Sequence, residues 1–125
     1  MTVPEQRVGH LKDVDVNWYS EPGDTTRKIL VYEPGIMMMR NAFTEGFAGP
    51  LHRHPHVQAS YIVSGRFEIT IGDAANVMGP GDSFLIQSNL MHSVRCLEAG
   101  EIVEVFTPMR ADLINRNSDL CAQLT

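Results

Sequence analysis

The chain has 125 residues, 43% apolar and 20% charged, which suits one globular domain with a real core and is too short for two. Its 10 basic and 15 acidic residues leave a formal charge of −5, so a nucleic-acid or anionic-membrane surface, either of which needs a basic field, is not expected. No run reaches the length of a membrane span.

Residues 1–26 read as an irregular arm with one short strand around Val14–Trp18, and "MTVPEQRVGH" lacks an apolar signal run, which makes the cytoplasm the default location. "RKILVYE" (27–33) and "GIMMMRNAF" (35–43) are strand candidates divided by Pro34-Gly35. In a strand, Met37 and Met39 would point one way and Met38 the other, so the methionine triplet reads as core filling rather than a ligand stripe. "QASYIVSG" (58–65) leads through Ser64-Gly65 into the alternating "RFEITIG" (66–72), and this pair reads as a hairpin. A turn at Gly72-Asp73, the short strand "ANVMG", the tight turn "GPGD" (79–82) and the strands "SFLIQ" (83–87), "HSVRCLE" (92–98) and "EIVEVFTP" (101–108) complete the series. Many short strands at even spacing predict an all-β sandwich or small barrel that can enclose a pocket. Residues 111–125 form a polar tail in which a short helix is an option. Cys96 and Cys121 make no CxxC pair, so neither a disulfide scaffold nor a zinc knuckle is expected, and Cys96 reads as a small buried side chain.

The chemistry concentrates in "GPLHRHPHVQASYIVSG" (49–65). His52, His54 and His56 stand at every second position with Gln58 in the same parity, and His92 opens a distant strand. A mononuclear metal site commonly takes two ligands from one short segment and another from elsewhere. Imidazole with an oxygen donor suits one divalent transition ion, and zinc, nickel, iron, manganese and cobalt are all compatible.

The segment His52-x-His54, three residues, Gln58, six residues, Gly65 resembles the first cupin motif, H-x-H-x(3–4)-E-x(6)-G, with glutamine in the glutamate position. "GPGDSFLIQSNLMH" is similar to the second motif through Gly81, Asp82 and His92, although Gln87, Asn89 and Cys96 replace its usual proline, glycine and asparagine. The resemblance implies a double-stranded β-helix (jelly-roll) barrel over residues 27–110, with an N-terminal arm (1–26), a C-terminal tail (111–125) and a metal inside held by His52, His54, Gln58 and His92. For His56 a fifth ligand, a place in the layer around the metal and a place in the pocket wall against the substrate stay open, and the layer around the metal is favoured because Pro55 breaks the strand before it.

Among cupins, "LHRHPHVQASYIVSGRFEITIG" and "EVFTPMRAD" resemble the KdgF-type pectin-degradation proteins, whose closing stretch is D-x-F-x-P-x-R-x-D. That likeness puts Glu104 on the acidic position, one methylene longer than aspartate, Phe106 on the aromatic and Arg110 on the arginine. It implies non-redox opening of a 4,5-unsaturated uronate, with Glu104 moving a proton, Arg110 clamping the carboxylate, and Phe106 and His56 against the substrate. Polyketide-cyclase-like and dioxygenase cupins are the enzymatic alternatives, and a non-catalytic ligand-binding cupin is the alternative of another class. A small anionic substrate and a second copy of the chain are the partners expected.

Overall fold

Between Met37 and Phe43 every second side chain is buried: Met37, Met39, Asn41 and Phe43 face inward, while Met38 is 37% exposed. The period of two is that of a strand with one face on a core. The structure, a computed structural model, describes residues 5–21, 23 and 25–116. Strands β1 (Tyr19–Glu21), β2 (Thr25–Glu33), β3 (Ile36–Phe43), β4 (Val57–Ile71), β5 (Ala74–Met78), β6 (Ser83–Ile86) and β7 (His92–Thr107) are followed by helix α1 (Ala111–Arg116). All pairings are antiparallel, in the order β1-β2-β3-β7-β4-β5, with β6 on the free side of the first half of β4.

The hairpin expected over residues 58–72 and the two strands expected at 92–98 and 101–108 are each a single strand: β4 and β7 run through 15 and 16 residues and pair with each other along both halves. Gly65 and Gly100 explain the difference. Gly65 has φ +85°, and a Cβ on it would lie 2.6 Å from the Glu98 carbonyl oxygen; a Cβ on Gly100 would lie 2.1 Å from that of Ser64. The register shifts between Ile62 and Phe67, where the two backbones cross closely and bend together. Glycine serves here as a bulge that folds a strand pair around a corner, not as a turn that ends it.

The short strand expected at Val14–Trp18 is likewise displaced. Asp13–Asp15 form a 3₁₀ turn, and the strand lies at Tyr19–Glu21, paired with Thr25–Arg27. Polar anchors hold the turn against the outside of the barrel. Asp13 pairs with Lys28 at 3.0 Å and with Arg40, while both cations lie over the Trp18 ring.

Two apolar clusters flank the barrel's interior. Ile29, Tyr32, Met37, Met39 and Phe106 pack with Leu113 and Ile114 of α1, while Phe43, Ile62, Phe67, Ile69, Cys96 and Ile102 fill the other end. Cys96 is buried as expected, its Sγ 3.2 Å from the Glu98 carbonyl; Cys121 lies outside the described residues. Among the described residues no helix is long and apolar enough to cross a membrane.

Candidate metal centre and pocket

Residues 44–56 cross over to lie beside the first half of β7, where His52 and His92 exchange both backbone hydrogen bonds, at 3.0 and 2.8 Å. That bridge brings the distant histidine to the local cluster. One ring nitrogen from each of His52, His54 and His92 lies within 4.8 Å of the others, a grouping that can hold a metal ion.

Each ring is oriented from behind. His52 Nδ1–H donates to the Pro50 carbonyl at 2.9 Å, His92 Nδ1–H to Leu90 at 2.9 Å, and His54 Nδ1–H to His56 at 3.1 Å. Fixing the proton on Nδ1 leaves Nε2 as the lone pair, which is the arrangement that carbonyl-backed metal ligands use. Burial pushes the His54 pKa down to about 4, with Arg110 and His92 adding to the effect, and burial also lowers that of His92. Both rings are therefore neutral near pH 7, the form that accepts a cation.

Gln58 completes the corner. Its Nε2 donates to Ser60 Oγ at 3.1 Å, which aims Oε1 at His54 Nε2, 3.2 Å away. A neutral imidazole has one N–H, and that of His54 is spent on the His56 carbonyl. Two lone pairs thus face each other at hydrogen-bond distance. With Oε1 and the Nδ1–H in these positions, a cation between the two lone pairs relieves the contact, whereas a second proton on His54 is disfavoured at a pKa of about 4. The donor set fits a metal with His52, His54, His92 and Gln58 as its protein ligands, all neutral.

The corner opens on a cavity of about 400 Å³ whose wall includes Glu104, Phe106 and Arg110. Glu104 and Phe106 share a parity on β7, opposite Ser60 and Gln58 on β4. Glu104 contributes the one carboxyl among the described wall residues, and desolvation raises its pKa against the opposing charges of Arg27 and Arg110. Arg110 lies over the Phe106 ring at 5.0 Å, and its Nε and Nη2 already grip Asp112 at 3.0 and 2.9 Å. Its two-pronged fork is thus occupied, so a bidentate clamp on substrate would require Asp112 to let go. His56 does not line the cavity; it is half-buried, its Nδ1 lacks a partner, and its carbonyl holds His54.

The cupin domain family matches residues 42–107, just over half of the chain and every residue of the histidine corner. This chain belongs to the cupin family. A curated relative, the pectin degradation protein KdgF of Dickeya dadantii, is 32% identical over 104 residues, covering 82% of this chain and 94% of that protein. Among solved structures, KdgF from Halomonas sp. superposes with a TM-score of 0.79 at 30% identity, covering 84% of this cupin and 99% of that chain. An RmlC-like cupin from Shewanella frigidimarina reaches a TM-score of 0.85 at 26% identity, over 88% and 99% of the two chains.

Four polar wall residues of this cupin escaped the sequence reading: Arg27, Asn41, Ser93 and Arg116. Arg116 belongs to the tail, whose helix carries Leu113 into the wall as well. Asn41 was visible in principle, as a polar side chain on the buried stripe Met37–Met39–Asn41–Phe43. Arg27 follows from it, since the two are Cα partners across β2 and β3.

Proposed function

We propose that this protein is a metal-dependent enzyme that opens a cyclic 4,5-unsaturated uronate to its linear keto acid, the activity implied by its likeness to KdgF-type proteins. The observation that carries the reading is Glu104, a desolvated carboxyl with a raised pKa on the wall that the histidine corner shares. Such a group suits proton transfer near neutral pH, where an ordinary carboxylate would be a poor acid. Three arginines and Glu104 line the cavity beside four phenylalanines and, among the described residues, no methionine; the charged groups support a sugar acid over the larger aromatic precursors of polyketide cyclases, for which the phenylalanines alone would speak.

The reaction is an isomerisation. A proton leaves the anomeric hydroxyl as the bond from C1 to the ring oxygen breaks, and a proton arrives at C4 as C5 becomes a ketone. Atoms balance with no oxidant or reductant. Glu104 would supply the proton at C4. Phe106, its ring edge-on to that of His54 with centroids 5.8 Å apart, would shield the reacting face from water. His56 would act through His54, holding its ring by the backbone carbonyl. The ion held by His52, His54, Gln58 and His92 would supply Lewis-acid polarisation of a substrate oxygen, and with four neutral ligands it would keep its full charge for that task.

The test is to mix the metal-loaded protein with unsaturated galacturonate released by a pectate lyase and follow the ultraviolet absorbance of the double bond. Its loss with a linear keto acid seen by NMR is expected; decay no faster than in buffer overturns the reading. Tyr61, Val63 and Leu85, exposed on the outer face of β4 and β6, support pairing with a second copy, which sedimentation equilibrium checks.

A further inference from the structure

One set of polar groups in the cavity wall finds no partner among the described residues. Asn41 is 1% exposed, and both Oδ1 and Nδ2 are buried without a hydrogen-bond partner. Opposite it across β2 and β3, Arg27 buries an unpartnered Nε, and among the described residues no ion pair engages its guanidinium. The other two arginines of the wall differ. Arg110 is held by Asp112, and Arg116 lies 3.3 Å from Glu21.

Buried polar atoms are nearly always paired, because an unpaired one loses its water without compensation. The position of Asn41 asks for an apolar residue, since Met37, Met39 and Phe43 fill the rest of its stripe. An amide there, facing a cation that no carboxylate of the described residues reaches at ion-pair distance, marks a place where something outside the chain supplies the partners. The chemistry of that partner can be read from the donors. A guanidinium without a counterion selects a carboxylate, while an amide with a free donor and a free acceptor adds a bond to the same carboxylate and accepts one from a neighbouring hydroxyl.

We propose that Arg27 and Asn41 form a second ligand subsite, which takes the carboxylate and an adjacent hydroxyl of a polyhydroxylated acid whose other end sits at the histidine corner. Asn41 pairs with Ile102 on β7 and Gln58 with Phe106, so the two subsites stand four residues apart, roughly 13 Å of strand. Side chains reaching from both ends leave room for one six-carbon acid. The inference rests on the function proposed above only for the identity of that acid. It also links binding to chemistry. Arg27, with Arg110, favours the ionised form of Glu104, and a ligand carboxylate on Arg27 would weaken that influence and shift Glu104 toward its protonated form.

Calorimetric titration of the full chain at matched metal content, with D-galacturonate and neutral D-galactose as probes, tests the subsite. Wild type should prefer the acid by about tenfold or more, the strength of a charge-assisted pair, and Arg27→Met should lose that preference. Arg27→Gln, which is shorter and uncharged but keeps a polar end, should lose it too, and serves should Arg27→Met fail to fold. Asn41→Leu should weaken galacturonate about tenfold, while its Tm without ligand equals or exceeds that of wild type by a few degrees. No acid preference in wild type, variants that bind as wild type does, or a lower Tm for Asn41→Leu would each overturn the subsite. Uronate turnover indifferent to Asn41→Leu would sink the subsite and leave the reaction standing. Arg27-dependent galacturonate binding without turnover would do the reverse.

Discussion

The histidine corner and the Arg27–Asn41 corner open on one cavity but are built in opposite ways. At the first, each ring is braced by a carbonyl two residues away along its own chain, Pro50 for His52, His56 for His54 and Leu90 for His92. At the second, the side chains come from separate strands, and among the described residues no hydrogen bond or ion pair braces them. The difference separates two kinds of preparation. Local bracing sets tautomer and direction before any ion arrives, whereas the unbraced pair is set only by strand register and is completed by what binds. One corner is therefore expected to be rigid and neutral, and the other charged and dependent on ligand.

Breaking the braced corner should have the largest effect. His92→Ala removes a ligand rather than an orienting partner, so metal affinity should fall by more than about a hundredfold and turnover should vanish, as metal analysis after dialysis and the alkene assay would record. Retained metal would dissolve the contrast. Glu104→Gln comes next: kcat should drop about 10²- to 10⁴-fold with metal content unchanged, because the amide copies the shape of the protonated acid but cannot give up its proton. Its stability should not fall, since the folded pocket already favours the neutral form.

The neutral state of the histidines sharpens the comparison through pH. In the folded protein His54 titrates near 4, against an ordinary value of 6.5. Between those values the unfolded chain binds a proton that the native state refuses, so stability rises with pH across the window and is flat above it. Chelator-treated protein should lose on the order of 3 kcal/mol between about pH 6.5 and 4, with His92 acting in the same direction, and urea titrations at both ends would measure it. A flat profile would mean that the corner accepts protons and is not held for a cation. The smallest effect expected is that of Gln58→Glu. An added carboxylate should tighten the metal and weaken an anionic ligand by about tenfold each, and unchanged anion affinity would deny the neutral ligand set its role.

Much of the histidine corner could be read in the chain because its determinants are close in sequence. His52, His54 and Gln58 fall within seven residues, and the alternation in Met37–Met39 and along β4 announced which faces are buried. Ser64-Gly65 and Ala99-Gly100 were misleading for a physical reason. Glycine permits a turn and a bulge equally, and only the approach of the other backbone, at distances no side chain tolerates, selects the bulge. The arm was misplaced for a similar reason, as Asp13 is anchored by Lys28 and Arg40 on strands the local sequence does not reveal.

By itself the sequence determined the all-β class, the cupin motifs and the identity of the metal-ligand candidates, since periodicity and short-range spacing act within a few residues. Tertiary structure alone decided that His92 meets His52 through a backbone bridge, that Arg110 is already occupied by Asp112, and that Arg27 and Asn41 share a wall with Glu104. Strand register is set by the packing of the whole barrel. Which polar groups are left without partners can be known only once every other group has found its own.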